Sequence, residues 1–157
     1  MKILLVSDLH VPTRLPSLPS EFLYLTEQVD LVVATGDFVD LQTVLLLKES
    51  SKQFYAVHGN MDDVEVKEYL PSQMSVQLEA LRIGICHGWG SPQSIRERIL
   101  RVFHDKPDVI FYGHTHEFDN SFLESVRFIN PGSFCDDKSF ALVDICNSQV
   151  KVEFKRL

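Results

Sequence analysis

Cysteine is scarce: Cys86, Cys135 and Cys146 are the only three in 157 residues. An odd count without close pairing argues against a disulfide-stapled secreted domain, a zinc finger or a redox motif, and it suits a reducing cytosol. Positive charge is also short, with 15 Lys and Arg against 22 Asp and Glu, a formal net charge of −7. No basic field attracts a phosphate backbone, so non-specific nucleic-acid binding is not expected, and a small anionic substrate needs positive charge created locally. Long apolar runs are missing as well. Ile3 to Val6 stops at Ser7 and Asp8, far short of a signal-peptide core, and nothing approaches the roughly 20 apolar residues of a membrane span. A cytoplasmic protein with no membrane contact is expected. With no repeat, linker or low-complexity segment, residues 1–157 read as a single domain, long enough for one well-packed core.

What is present is an alternation of short apolar runs and helical patterns. Lys2 to Val6, Leu31 to Ala34, Phe54 to Val57, Leu81 to Cys86 and Val109 to Tyr112 are continuous apolar runs of the kind that form strands buried on both faces. Between them, helices are predicted from near Ser20 to before Val29, from an Asp40 N-cap through Lys48, and over Val64 to Leu70. A further helix is predicted from a Ser91-Pro92 start through Phe103 to Lys106-Pro107. After Glu117 the pattern changes to strands at Phe122–Ile129, Phe140–Ile145 and Gln149–Lys155, with a turn at Asn147-Ser148. The class is α/β with a β-rich C-terminal quarter.

Polar residues follow each of the five runs: Asp8 and His10, Asp37, Asn60, His87, and His114 with His116. In open α/β sheets the ligand groove lies at the carboxyl ends of the strands, so these seven residues can converge. Two carboxylates, four imidazoles and an amide oxygen form a mixed nitrogen and oxygen ligand set. Seven ligands exceed what one catalytic ion uses, which points to two divalent ions about 3.5–4 Å apart sharing a bridge and a hydroxide nucleophile. Imidazoles favour manganese first, with nickel, iron, zinc or cobalt as alternatives, over magnesium or calcium. Two dications, less two carboxylates and a hydroxide, leave roughly +1 at the site, the local charge that an acidic chain otherwise lacks.

Asp8-Leu9-His10, Gly36-Asp37, Gly59-Asn60, His87-Gly88 and Gly113-His114-Thr115-His116, in this order, resemble the motifs of calcineurin-like metallophosphoesterases. Asn130-Pro131-Gly132-Ser133 resembles a late motif of the small bacterial and archaeal phosphodiesterase branch. The likeness covers about residues 1 to 133. It implies a four-layer αββα sandwich of two mixed sheets flanked by helices. It also implies Asp8, His10, Asp37 and His116 on one metal, and Asp37, Asn60, His87 and His114 on the other. Asp37 is then the bridge, and Asp37, Asn60 and His10 are the candidate catalytic residues. Two positions depart from the pattern. Met61 stands where larger members carry an acid histidine, and Trp89 stands where the small branch often has a second histidine.

The expected activity is hydrolysis of a small phosphate ester, a diester before a monoester or nucleotide. The competing expectation is a protein-binding scaffold, because Asp8 to Arg14 and Ser17-Leu18-Pro19 also resemble the small retromer subunit of the same fold. Homo-oligomerisation is left open. Bland roles are expected elsewhere: His58 and His104 as packing and helix-end residues, Cys86 as a strand filler, and Arg96, Arg98 and Arg101 as a solvated face. Asp62 reads equally as a residue orienting a ligand or as a turn cap, and Phe38, Phe118 and Phe134 as core or rim.

Overall fold

The computed structural model describes residues 1–157. Fifteen elements follow in the order β1 (Lys2–Val6), α1 (Ser20–Glu27), β2 (Leu31–Ala34), α2 (Leu41–Glu49), β3 (Phe54–Ala56), α3 (Val64–Tyr69), β4 (Gln73–Leu78), β5 (Leu81–Cys86), α4 (Ile95–Leu100), β6 (Val109–Phe111), β7 (Phe118–Leu123), β8 (Val126–Pro131), α5 (Phe134–Asp137), β9 (Ser139–Cys146) and β10 (Gln149–Arg156). They build two five-stranded sheets, ordered β10-β9-β1-β2-β3 and β4-β5-β6-β8-β7. Within the first, β1, β2 and β3 are parallel, and β9 and β10 close one edge antiparallel. Within the second, β5, β6 and β8 are parallel, and β4 and β7 flank them antiparallel.

The period-2 alternation of side chains sorts each strand into two cores. On β1, Ile3 and Leu5 enter an inter-sheet core with Leu31, Val33, Ile83, Ile85, Val109 and Phe111. Leu4 and Val6 point the other way, into a core shared with Phe22 of α1, Val44 and Leu47 of α2 and Val66 of α3. The second sheet turns Ile110 and Phe128 outward onto Ile95 and Ile99 of α4. The layers are therefore helix, sheet, sheet, helix, the sandwich that the motifs imply. No helix is long and apolar enough to cross a membrane.

Two sequence expectations need correction, and one strand had no signal. Phe122–Ile129 is not one strand: β7 and β8 pair antiparallel across a two-residue turn, Glu124 and Ser125, both at positive φ. That backbone form normally announces itself through Asn or Gly, and neither is present. The strand β4 had no prediction, because its side chains alternate between exposed and half-buried and it contains Gln73, Ser75 and Gln77. The helix after Ser91-Pro92 starts later and ends earlier, as α4, with Ser94 at its N-cap position in the left-handed region and without a side-chain cap bond. Asp40 does cap α2, accepting from the Thr43 amide at 2.9 Å.

Phe22 is fully buried, 4.3 Å from the Phe134 ring and 6.0 Å from that of Phe140. Phe22→Ala is expected to lower unfolding free energy by about 3–5 kcal/mol in urea titration. Tyr24→Ala, two residues away at a 62% exposed position, should change it by no more than about 0.5 kcal/mol.

Candidate metal centre

Five parallel strands, three in one sheet and two in the other, end at the same edge of the sandwich. Asp8 and His10 follow β1, Asp37 follows β2, Asn60 follows β3, His87 follows β5, and His114 and His116 follow β6. All seven sequence-selected residues are therefore placed past strand ends, and the ligand atoms of five of them cluster. Asp8, His10 and His116 form one group whose ligand atoms lie within 4.8 Å of one another, and Asp8, Asp37 and His87 form a second. The Asp37 Oδ2 atom sits 3.5 Å from His10 Nε2 and 3.3 Å from His87 Nε2. His114 Nδ1 and Asn60 Oδ1 approach to 3.2 Å at the outer end.

The backbone is bent to achieve this. Asp8, His10, Asp37, His114 and His116 all have φ between +47° and +68°, a left-handed form that costs a non-glycine residue energy and concentrates at functional sites. Glycine contributes in two ways: Gly36 and Gly88, at φ +105° and +95°, take turns that side chains disfavour, while a Cβ on Gly59 would overlap Asp37 Oδ1 and one on Gly113 would overlap the Ser7 hydroxyl. No sequence signal marks the left-handed Asp and His residues.

Asp8, His10, Asp37 and His87 are buried. Both oxygens of Asp8, with His10 Nε2 and His87 Nε2, lack any hydrogen-bond partner. Buried polar atoms are ordinarily satisfied, so unpaired carboxylate oxygens facing unpaired imidazole nitrogens mark a place for a bound cation. The other ring nitrogens are occupied. Thr35 O holds His87 Nδ1 at 2.7 Å, and Asp136 holds His116 Nδ1 at 2.7 Å, so each Nε2 faces inward. Such contacts fix ring orientation and tautomer at metal sites.

The charges are strongly coupled. The carboxylate of Asp8, 3.1 Å away, together with Asp136, pushes the His116 imidazole up to about 9. Burial pushes the Asp37 carboxyl up, but His87, the Met61 amide and His10 outweigh it and hold it below its ordinary value. At His10 burial, aided by Arg14 and His116, outweighs Asp37 and Asp8, and the imidazole is lowered.

Residues 1–148 match the calcineurin-like phosphoesterase superfamily domain. The chain belongs to that superfamily. It is 30% identical over 147 residues to phosphodiesterase MJ0936 of Methanocaldococcus jannaschii, covering 86% of this chain and 85% of that one. The solution structure of Thermotoga maritima protein TM1076 is 47% identical over 99% of both chains, with a TM-score of 0.84. Vps29 of Entamoeba histolytica complexed with Zn2+ superposes at a TM-score of 0.76 and 24% identity, over 100% of this chain and 98% of that one, a likeness of fold alone.

Within this calcineurin-like centre, several further residues support the cluster. Asp62 is buried and accepts three backbone N–H groups, from Asp37 at 3.0 Å, Val39 at 2.7 Å and Gly59 at 2.7 Å. It ties the β2 and β3 loops together, combining both expected roles. Asn130 donates to Gly113 O and Thr115 Oγ1 at 2.8 and 3.0 Å, so the Asn-Pro-Gly-Ser motif shapes the loop carrying His114 and His116. Asp136 follows Asp8 through space, because Phe134 and Cys135 donate to Ser7 O and Asp8 O. Met61 contributes its backbone, donating to Asp37 Oδ1 at 2.8 Å, while its side chain is half exposed. Phe38 and Phe134 are core, and Cys86 is a buried filler whose thiol burial pushes up to about 12. Arg98 is not merely a solvated cation, for it binds the carbonyls of Trp89, Ser91 and Gln93.

Asp62→Ala strands three amides, each costing about 1–3 kcal/mol when left buried without an acceptor. Unfolding free energy is expected to fall by at least about 3 kcal/mol; a change under about 0.5 kcal/mol in guanidinium titration is incompatible with this bracing role.

Proposed function

We propose that the chain is a dinuclear metal-dependent phosphodiesterase. The observation that carries this reading is the set of buried, unpartnered Asp8, His10 and His87 atoms converging beside Asp37. The donor set fits divalent cations: Asp8, His10, Asp37 and His116 would hold one ion, and Asp37, Asn60, His87 and His114 the other. When bound, such ions supply Lewis acidity and a water acidic enough to act as nucleophile near neutral pH. Manganese is the first candidate for an imidazole-rich set, with nickel, iron, zinc and cobalt behind it.

The chain's own residues do the rest. Asp37 presents one oxygen between two imidazoles and receives the Met61 amide on the other, which fixes its plane. Thr35 O and Asp136 hold the His87 and His116 rings so that neither rotates out of the site. Asn60 is exposed at the mouth, where its amide can meet a phosphoryl oxygen, and His10 backs the opposite side. No histidine follows Asn60, so the residue that serves the leaving group must come from elsewhere.

The second reading is a scaffold that docks a protein partner. The Vps29 folds support it, as do the exposed Met61, Val64 and Trp89 side chains near the site. Stoichiometric partner binding without hydrolysis of any phosphate ester distinguishes it.

Protein stripped with chelator and reloaded with manganese should hydrolyse bis(p-nitrophenyl) phosphate faster than p-nitrophenyl phosphate. Asp37→Asn and His87→Ala should each reduce turnover by about 100-fold or more. Metal-independent turnover, or full activity in both variants, would sink the proposal. Elemental analysis checks the ligand division: His114→Ala and His116→Ala should each lose about one equivalent, from different ions. Loss of both ions from either variant argues against that division.

A further inference from the structure

Two clefts flank the carboxylate and imidazole cluster, and they differ in charge. One, on the His116 side, is lined by Arg96, Thr115, Glu117 and Asp119, with the Asp119 carboxylate already engaged by Tyr112 at 2.6 Å and Arg96 at 3.6 Å. The other, of about 370 Å³, opens beside Asn60 and His87 and is lined further out by His58, Lys67, Ser72, Gln73 and Trp89. It contains no carboxylate and one cation, Lys67, in a chain with 22 acidic residues. An anionic ester meets repulsion on the first side and attraction on the second.

The second cleft is also built to hold a ring. Trp89 is 43% exposed, yet its loop is pinned from two sides. Arg98 donates to Trp89 O at 3.2 and 2.9 Å and to Gln93 O at 2.8 Å, while His114 Nε2 meets Gly90 O at 2.9 Å. Gly88 and Gly90, at φ +95° and +78°, give the loop a path closed to most other residues. An exposed indole on a fixed loop is a preorganised stacking face. Gln73 spends its amide NH2 on Val102 O at 3.1 Å, leaving its oxygen free as an acceptor beside the Ser72 hydroxyl and the His58 ring. A purely hydrocarbon alcohol leaves those groups unpaired; a heteroaromatic one with hydroxyls satisfies them. Lys67 Nζ donates to Asn60 O at 3.2 Å, next to a proposed metal ligand.

We infer that this cleft is the leaving-group subsite and takes an alcohol of the nucleoside class, with Trp89 stacking on the base and Lys67 facing the departing oxygen. The inference rests on the phosphodiesterase reading. In the hydrolysis a water oxygen forms the new bond to phosphorus and gives up a proton to solvent. The phosphorus–oxygen bond to the nucleoside breaks with its electron pair left on the departing oxygen, which then takes a proton from solvent. The Lys67 ammonium stabilises the charge that develops on that oxygen, a task for which no histidine follows Asn60.

The test compares methyl phosphodiesters that differ only in the second group: methyl, thymidine and a series of phenols. Trp89→Ala should lower the ratio of kcat/KM for the thymidine ester over the dimethyl ester by at least about fivefold. Lys67→Met should steepen the dependence of rate on leaving-group pKa, and Lys67→Arg should restore it. An unchanged ratio, or an unchanged slope, overturns the respective assignment. Trp89 is the sole tryptophan, so its emission reports the cleft even if no ester is hydrolysed. Adenosine titrated into the manganese-loaded protein should quench it saturably. Absence of quenching overturns the subsite, whereas quenching without any hydrolysis overturns the phosphodiesterase reading and leaves a nucleoside-binding cleft.

Discussion

Two buried carboxylates sit at the centre of the molecule's organisation. Asp8 is fully buried with both oxygens unpaired, and Asp37 is buried between two imidazoles. Removing a carboxylate from water costs several kcal/mol unless a compensating charge is supplied. The imidazoles supply part of it, as the raised His87 and His116 show. The remaining orphaned atoms form groups that could hold a metal ion, so the folded chain already bears the cost of a site suited to metal.

Holding that arrangement requires the rest of the fold. Parallel strands of two sheets must stop at one edge, and five of the seven convergent residues then enter the left-handed region. Strain of this kind persists only where surrounding contacts over-determine it. Here those contacts are identifiable: Asp62 draws together the β2 and β3 loops, Asn130 braces the loop after β6, and the start of α5 holds the Ser7 and Asp8 carbonyls. Beneath them lies the apolar inter-sheet core of Ile3, Leu5, Leu31, Val33, Ile83, Ile85, Val109 and Phe111.

The electrostatic outcome reverses what bulk composition suggests. A chain of net charge −7 repels phosphate esters at long range. Yet the cleft beside Asn60 carries Lys67 and no acid, while acids gather on the His116 side. Substrate orientation in the proposed reaction follows from that asymmetry, and Trp89 in place of a histidine makes the same cleft aromatic.

The sequence by itself determined the strand-and-helix alternation, the ligand types and their placement after apolar runs. These are local properties, written in hydrophobic periodicity and in Asp, Asn and His beside glycine. It did not determine the β7–β8 turn, because Glu124 and Ser125 adopt positive φ without the residues that favour it, nor β4, whose pattern is mostly exposed. Asp62 read equally as a turn cap or a residue orienting a ligand, Asn130 only as part of a motif, and Asp136 carried no signal, since accepting backbone amides or orienting an imidazole depends on which loops lie alongside. Likewise Arg98 looked like one cation on a solvated helix until the loop at Trp89 placed three carbonyls around it. Only the tertiary structure decided these roles, because each arises from contacts between segments far apart in the chain, and no local pattern encodes which partner arrives.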